Sequence, residues 1–242
     1  MSSRRPVRWS KKTDALVRHV AARLRPRLQS ELGHWMEDNP RFSTFVAAHQ
    51  DKIRKKLTTS DDEDSRLDVR SELLVAYLIL ADRRFELSFE AYGARRLGPD
   101  LSVTYRGNQR FNLEVTRLRA TAEASIESDR LANVVAGKLR QLPGGVPNAL
   151  VISTRGLQLS EETLIAALRL LKTRSERKDQ AFFARHGLRT ARDFYAQYLH
   201  LSGVFALDEA TAPIVWNNRE ARHPLPKEAV AALTVCLAAA CR

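Results

Sequence analysis

Sulfur chemistry is nearly missing from this chain. Cys236 and Cys241 are its two cysteines among 242 residues. Five positions apart in a predicted helix, they face different ways and make poor disulfide partners, which points to a reducing cytoplasm. There is no CxxC pair, so no structural zinc site is expected. The six histidines are scattered and form no HExxH pair, which excludes the helical zinc-hydrolase pattern. No GxSxG elbow occurs, and the glycines of "RGNQ" and "PGGVP" mark turns rather than a phosphate loop. Long apolar runs are lacking too. The longest, "AVAALTVCLAAAC" (229–241), is too short to span a bilayer and reads as a buried helix. The opening "MSSRRPVRWSKK" has no apolar segment behind its charges, so no signal peptide is expected. No internal repeat or low-complexity tract is visible.

Acid is the scarcer charge. Twenty-eight Asp and Glu face 40 Lys and Arg, leaving a net +12, which makes a polyanion the first partner to consider. The imbalance is local. Residues 1–60 hold 14 basic side chains against 5 acidic ones, a net +9. Hydrophobic residues make up 44%, enough for a globular core.

Leu16, Val20, Leu24, Leu28 and Leu32 recur every four residues and predict a helix over 12–36, kinked at Pro26. A second helix is expected over 39–57, and "TTSDDEDS" (58–65) reads as a linker whose Ser65 caps the next helix. That helix (66–84) is apolar nearly all round. "FELSFEAY" (85–92) alternates as a strand does. "PDLSVTYRGNQRFNLEVTRL" (99–118) reads as two strands joined by a turn at 106–109. A helix follows over 127–142, then a central strand at "NALVIST" (148–154). Two basic helices come next (about 160–178 and 190–200), capped by Ser160 and Thr190, then a strand at 202–207 and a last helix. The expected division is a basic helical region, 1–62, and a core, 63–242. Trp9, Trp35 and Trp216 read as packing residues.

Two acids stand out: Asp100 after Pro99, and Glu114 inside "FNLEVTRL" (111–118). Hairpin pairing would bring them to one sheet edge, where two carboxylates and a main-chain carbonyl suit a hard cation such as Mg²⁺. Lys138 is the second unusual residue. At 100° per residue it falls about 20° from Leu131, inside the apolar stripe of its helix. A lysine there is either buried at a cost or aimed at an anion. Gln141 borders the same stripe. A Lys138→Met change would then keep the apolar stem and hold or raise stability, and Asp100→Ala would leave the fold intact.

Asp100 behind Pro99, the run Glu114-Val115-Thr116 and the order α-β-β-β-α-β over roughly 66–154 together resemble the PD-(D/E)xK, or restriction-endonuclease-like, nuclease superfamily. The resemblance implies an α/β fold: an αβββαβ core with a mixed sheet flanked by helices, here with an N-terminal helical extension. It also implies Mg²⁺ (or Mn²⁺) held by Asp100 and Glu114, a supporting role for Glu72 on the first core helix, and DNA phosphodiester hydrolysis in restriction or defence. Thr116 stands where the family has lysine. Some members carry that lysine on the following helix, which assigns the role to Lys138 with help from Gln141. The nucleic-acid contacts expected in the basic region are Arg18, Arg23, Arg25, Arg27, Lys52, Arg54, Lys55 and Lys56. A homodimer or a partner subunit stays open.

The same residues admit plainer readings. Glu114 is then a solvated strand residue, Glu72 an acid favoured by a helix N-terminus, Lys138 a snorkelling side chain and the basic helices solvated faces. The alternative function is an inactive form of the same fold that binds nucleic acid or a partner.

Overall fold

The computed structural model describes residues 9–22, 24–59, 62–92, 98–119 and 127–241. The chain divides into two compact units, Met1–Ala81 and Asp82–Arg242.

The first unit is helical: α1 (Lys11–Ala21), α2 (Pro26–Asp38), α3 (Pro40–Ala48), α4 (Gln50–Thr59) and α5 (Glu63–Leu80). The expected helix over 12–36 is two helices. Pro26 opens the second instead of kinking one, because the first helical position needs no N–H, and Arg25 before it is extended, as a pre-proline residue must be. The stretch 39–57 also divides, at His49. Asp62, not Ser65, caps α5, and its side chain accepts from the Ser65 N–H; residues 60 and 61 of the predicted linker lie outside the described ones. Leu16, Val20, Phe42, Val46, Ile53 and Leu57 are buried. Trp35 stacks on Tyr77 at 5.5 Å between ring centres, and a Cβ on Gly33 would collide with the Trp9 ring, so both indoles pack.

The second unit is a six-stranded mixed sheet with helices against it. Its strands are β1 (Phe85–Phe89), β2 (Leu101–Tyr105), β3 (Gln109–Arg117), β4 (Asn148–Ser153), β5 (Leu201–Leu207) and β6 (Ile214–Asn217), in spatial order β1-β2-β3-β4-β5-β6. The β1-β2-β3 meander is antiparallel, β3-β4-β5 is parallel and β6 returns antiparallel. Parallel neighbours need helical crossovers. α6 (Ser128–Lys138), continued by a 3₁₀ turn at Leu139–Gln141, links β3 to β4. α7 (Glu161–Glu176), α8 (Gln180–Arg185) and α9 (Ala191–Tyr198) link β4 to β5. Their apolar faces share one core with Leu150, Ile152 and Val204 of the sheet. Ser160 and Thr190 cap α7 and α9 as expected, whereas α8 and β6 had no counterpart in the sequence pattern. α10 (Lys227–Ala238) packs against β5. It is not buried all round: Leu233 and Leu237 are inside, and Val235 is exposed. Burial pushes the Cys236 thiol up to about 11, which makes it unreactive as a nucleophile. No helix among the described residues is long and apolar enough to cross a membrane.

Candidate functional site

Strand alternation builds the site. In β3 the even-numbered side chains share one sheet face, and α6 packs its apolar stripe, including Leu131 and Val135, into the core on that face. Glu114 therefore points into a covered layer instead of toward water, and 1% of its side chain is exposed. A carboxylate so placed needs partners. Lys138, the last residue of α6, donates from Nζ to Glu114 Oε1 at 2.8 Å, with 27% of its own side chain exposed. The apolar position of Lys138 on the helical wheel is thus explained: the stem follows the stripe and the amine ends on the strand acid. Gln141, in the 3₁₀ turn, contributes a second donor. With its amide oriented by its hydrogen bonds, Nε2 lies 3.1 Å from Glu114 Oε2 and also contacts Oε1.

Asp100 sits one residue before β2. The β2–β3 register runs to Leu101↔Leu113, so Asp100 falls opposite Glu114 one step beyond it. The Asn112 N–H bonds toward the β4 side, to Pro147 O, which leaves the odd-numbered N–H groups of β3 facing β2. At Val115 the ladder has run out of backbone acceptors. Asp100 Oδ2 takes their place, accepting from Val115 N at 2.9 Å. Asp100, Glu114, Lys138 and Gln141 are thereby gathered at one end of the β2–β3 pair. Thr116, two residues on along the same face, is half-buried.

The donor set is all oxygen on the acid side. No group of three or more His, Cys, Asp or Glu able to hold a metal occurs among the described residues. Two carboxylates alone suit a hard cation that keeps several waters, as Mg²⁺ does, and suit zinc poorly.

The remaining expected residues lie in the first unit. Glu72 is buried and accepts from Lys56 Nζ at 2.7 Å, so Lys56, expected to face phosphate, is committed to a protein carboxylate. Arg18, Arg25, Arg27, Lys52, Arg54 and Lys55 are exposed. Arg18 pairs with Asp14, and Arg25 with Glu63 at 3.2 Å. Arg23 lies outside the described residues.

No protein-family model matches this chain, and neither a curated protein nor a solved structure matches it. Its chemistry rests on the residues themselves.

The sequence pattern did not anticipate one feature near the site. Ser102 Oγ donates to Asn112 Oδ1 at 3.0 Å, and Asn112 Nδ2 donates to Asn148 Oδ1 at 2.9 Å. Asn148 Nδ2 in turn donates to the carbonyls of Pro143, Val146 and His200. This polar row crosses three strands and pins the loop that follows Gln141. Its only sequence signal is an asparagine in each of two otherwise apolar strands, "RFNLEV" and "PNALVI".

Proposed function

We propose that this protein is a metal-dependent phosphodiester hydrolase acting on DNA, with the reacting groups at Asp100, Glu114, Lys138 and Gln141. The observation that carries the reading is the Lys138–Glu114 contact at 2.8 Å, which sets an ammonium beside a buried carboxylate where the strand two residues on offers only Thr116. Asp100 and Glu114 are the residues that would hold Mg²⁺, which when bound would supply charge stabilisation and an activated water at a phosphodiester. The chain's own contribution is positional. Val115 N–H fixes the Asp100 carboxylate, Gln141 fixes that of Glu114, and Lys138 brings a positive side chain against Glu114.

The test is incubation of the pure protein with supercoiled plasmid, linear duplex and single-stranded DNA in Mg²⁺, Mn²⁺ or EDTA. Cleavage of at least one substrate that stops in EDTA is expected. Intact substrates in every condition would refute hydrolysis.

A second reading has an observation of its own. Both Glu114 oxygens are already met by protein donors, and one Asp100 oxygen by a backbone N–H. A site so satisfied suits an inactive binding module of the same fold. Calorimetric titration with Mn²⁺ separates the two: heat of binding that disappears in Asp100→Asn supports the hydrolase, and no heat from the parent supports the module.

On either reading the exposed basic residues of α4 are expected to meet phosphate. Reversing Lys52, Arg54 and Lys55 to glutamate should weaken duplex binding and lower the slope of log affinity against log salt by about 0.9 for each phosphate no longer neutralised. A slope equal to the parent's would place the phosphate-binding surface elsewhere.

A further inference from the structure

The sheet face that carries Glu114 is not covered along its whole length. Over β4 and β5 it carries Leu150, Ile152 and Val204, which share one apolar core with α6, α7 and α9. Toward β1 it opens into a groove of about 430 Å³, within the roughly 300–1,000 Å³ typical of small-ligand pockets. Its floor is two cross-strand rows of hydrogen-bonding side chains, Glu86–Thr104–Arg110 and Ser88–Ser102–Asn112. Both rows share the face of Glu114, because 110, 112 and 114 alternate alike along β3. At about 3.4 Å per residue, Arg110 lies about 14 Å along the strand from Glu114.

Three side chains define what this floor would take. Arg110 is exposed and forms no ion pair among the described residues, so its guanidinium is available to an outside anion, and its planar fork matches a phosphate. Tyr92 lines the groove half-exposed, and its hydroxyl accepts from Asn112 Nδ2 at 3.2 Å, which holds the ring in place. Glu86 stands two strands from Arg110, about 10 Å away at ordinary strand spacing, and repels a second phosphate on that side.

We propose that this groove is the subsite for one nucleotide of a single-stranded DNA segment leading to the Asp100–Glu114 site, with Arg110 on its phosphate and Tyr92 against its base. The inference rests on the hydrolase reading for its substrate but not for its test. A cationic rail with an aromatic platform is how single strands are held without sequence preference, and a groove of this volume takes one nucleotide rather than a duplex.

The experiment measures binding of fluorescently labelled oligothymidylate in EDTA, where no cleavage occurs, by anisotropy across a salt series. Arg110→Glu should weaken binding about tenfold or more, and Arg110→Ala should lower the salt slope by about 0.7, the value for one phosphate on a single strand. Tyr92→Ala should also weaken binding, by about fivefold or more, and Tyr92→Phe, which keeps the ring but loses the hydroxyl that Asn112 holds, should bind more weakly than the parent and more tightly than Tyr92→Ala. Circular dichroism verifies that each variant is folded, and Arg110, being exposed, has no packing role to lose. Weakened binding in these variants stands even if no condition yields cleavage, in which case only the hydrolase reading falls. Parent-like binding by both Arg110→Glu and Tyr92→Ala overturns the inference even if the protein cleaves DNA. Displacement of the oligonucleotide by an equal concentration of thymidine monophosphate overturns the strand assignment in favour of a free nucleotide.

Discussion

Lys138→Met should destabilise the protein by about 3–5 kcal/mol at neutral pH, the usual cost of removing one partner from a buried ion pair. Sequence periodicity points the other way. On the helical wheel methionine is the same apolar stem without a charge, so stability is expected to hold or rise. The structure reverses the sign because of what lies at the end of the stem. Glu114 is buried, and losing the Lys138 ammonium at 2.8 Å leaves it to bear an uncompensated charge or to take up a proton, and either costs stability. The double variant Glu114→Gln, Lys138→Met removes both charges and should recover most of the stability, since neutral replacements of buried pairs are often as stable as the pair. Urea unfolding of the parent, the two single variants and the double variant measures the coupling directly. A Lys138→Met protein as stable as the parent would show that the pair is not formed in solution. If the residue also serves hydrolysis, cleavage per folded molecule should fall by about 10²–10⁴-fold, and the double variant should recover stability without recovering activity.

Asp100→Asn should lower cleavage by about 10²–10⁴-fold while leaving the fold nearly unchanged. Asparagine keeps an oxygen that can accept from Val115 N–H, so the variant deletes charge and little else. Asp100→Ala is not the clean probe that the sequence suggests. It strands the Val115 N–H, which bonds to Asp100 Oδ2 at 2.9 Å, and an unpaired buried donor costs about 1–3 kcal/mol. Cleavage by Asp100→Asn at the parent's rate would remove the residue from the site and leave it as the cap of the β3 ladder. A fall in activity seen only in Asp100→Ala would say the same.

Local chemistry made much of this architecture legible. Alternation in "FELSF" and "FNLEVTR", turn residues at 106–109 and side-chain caps at Ser160 and Thr190 act within a few positions of themselves, and each element they imply is present. The aim of Lys138 was legible for the same reason. A helix stripe and a strand face are both periodic, so the sequence alone places one lysine on an apolar face and one carboxylate inside a strand. Other features depended on partners far along the chain. The acceptance of Val115 N–H by Asp100 follows from where β2 begins relative to β3, a register that no single residue states. Lys56 reads as one more basic residue in a cluster until α4 and α5 set it against Glu72, sixteen positions away. The open groove exists because the covering helices α6, α7 and α9 follow the parallel strands and not the β1–β2 hairpin, which is a consequence of topology. What the sequence determined by itself is the set of elements and the residues too polar for their places, because propensity and periodicity are short-range. The tertiary structure alone decided which of those polar residues satisfy one another, because a buried charge or N–H is paired by whatever the fold brings within about 3 Å.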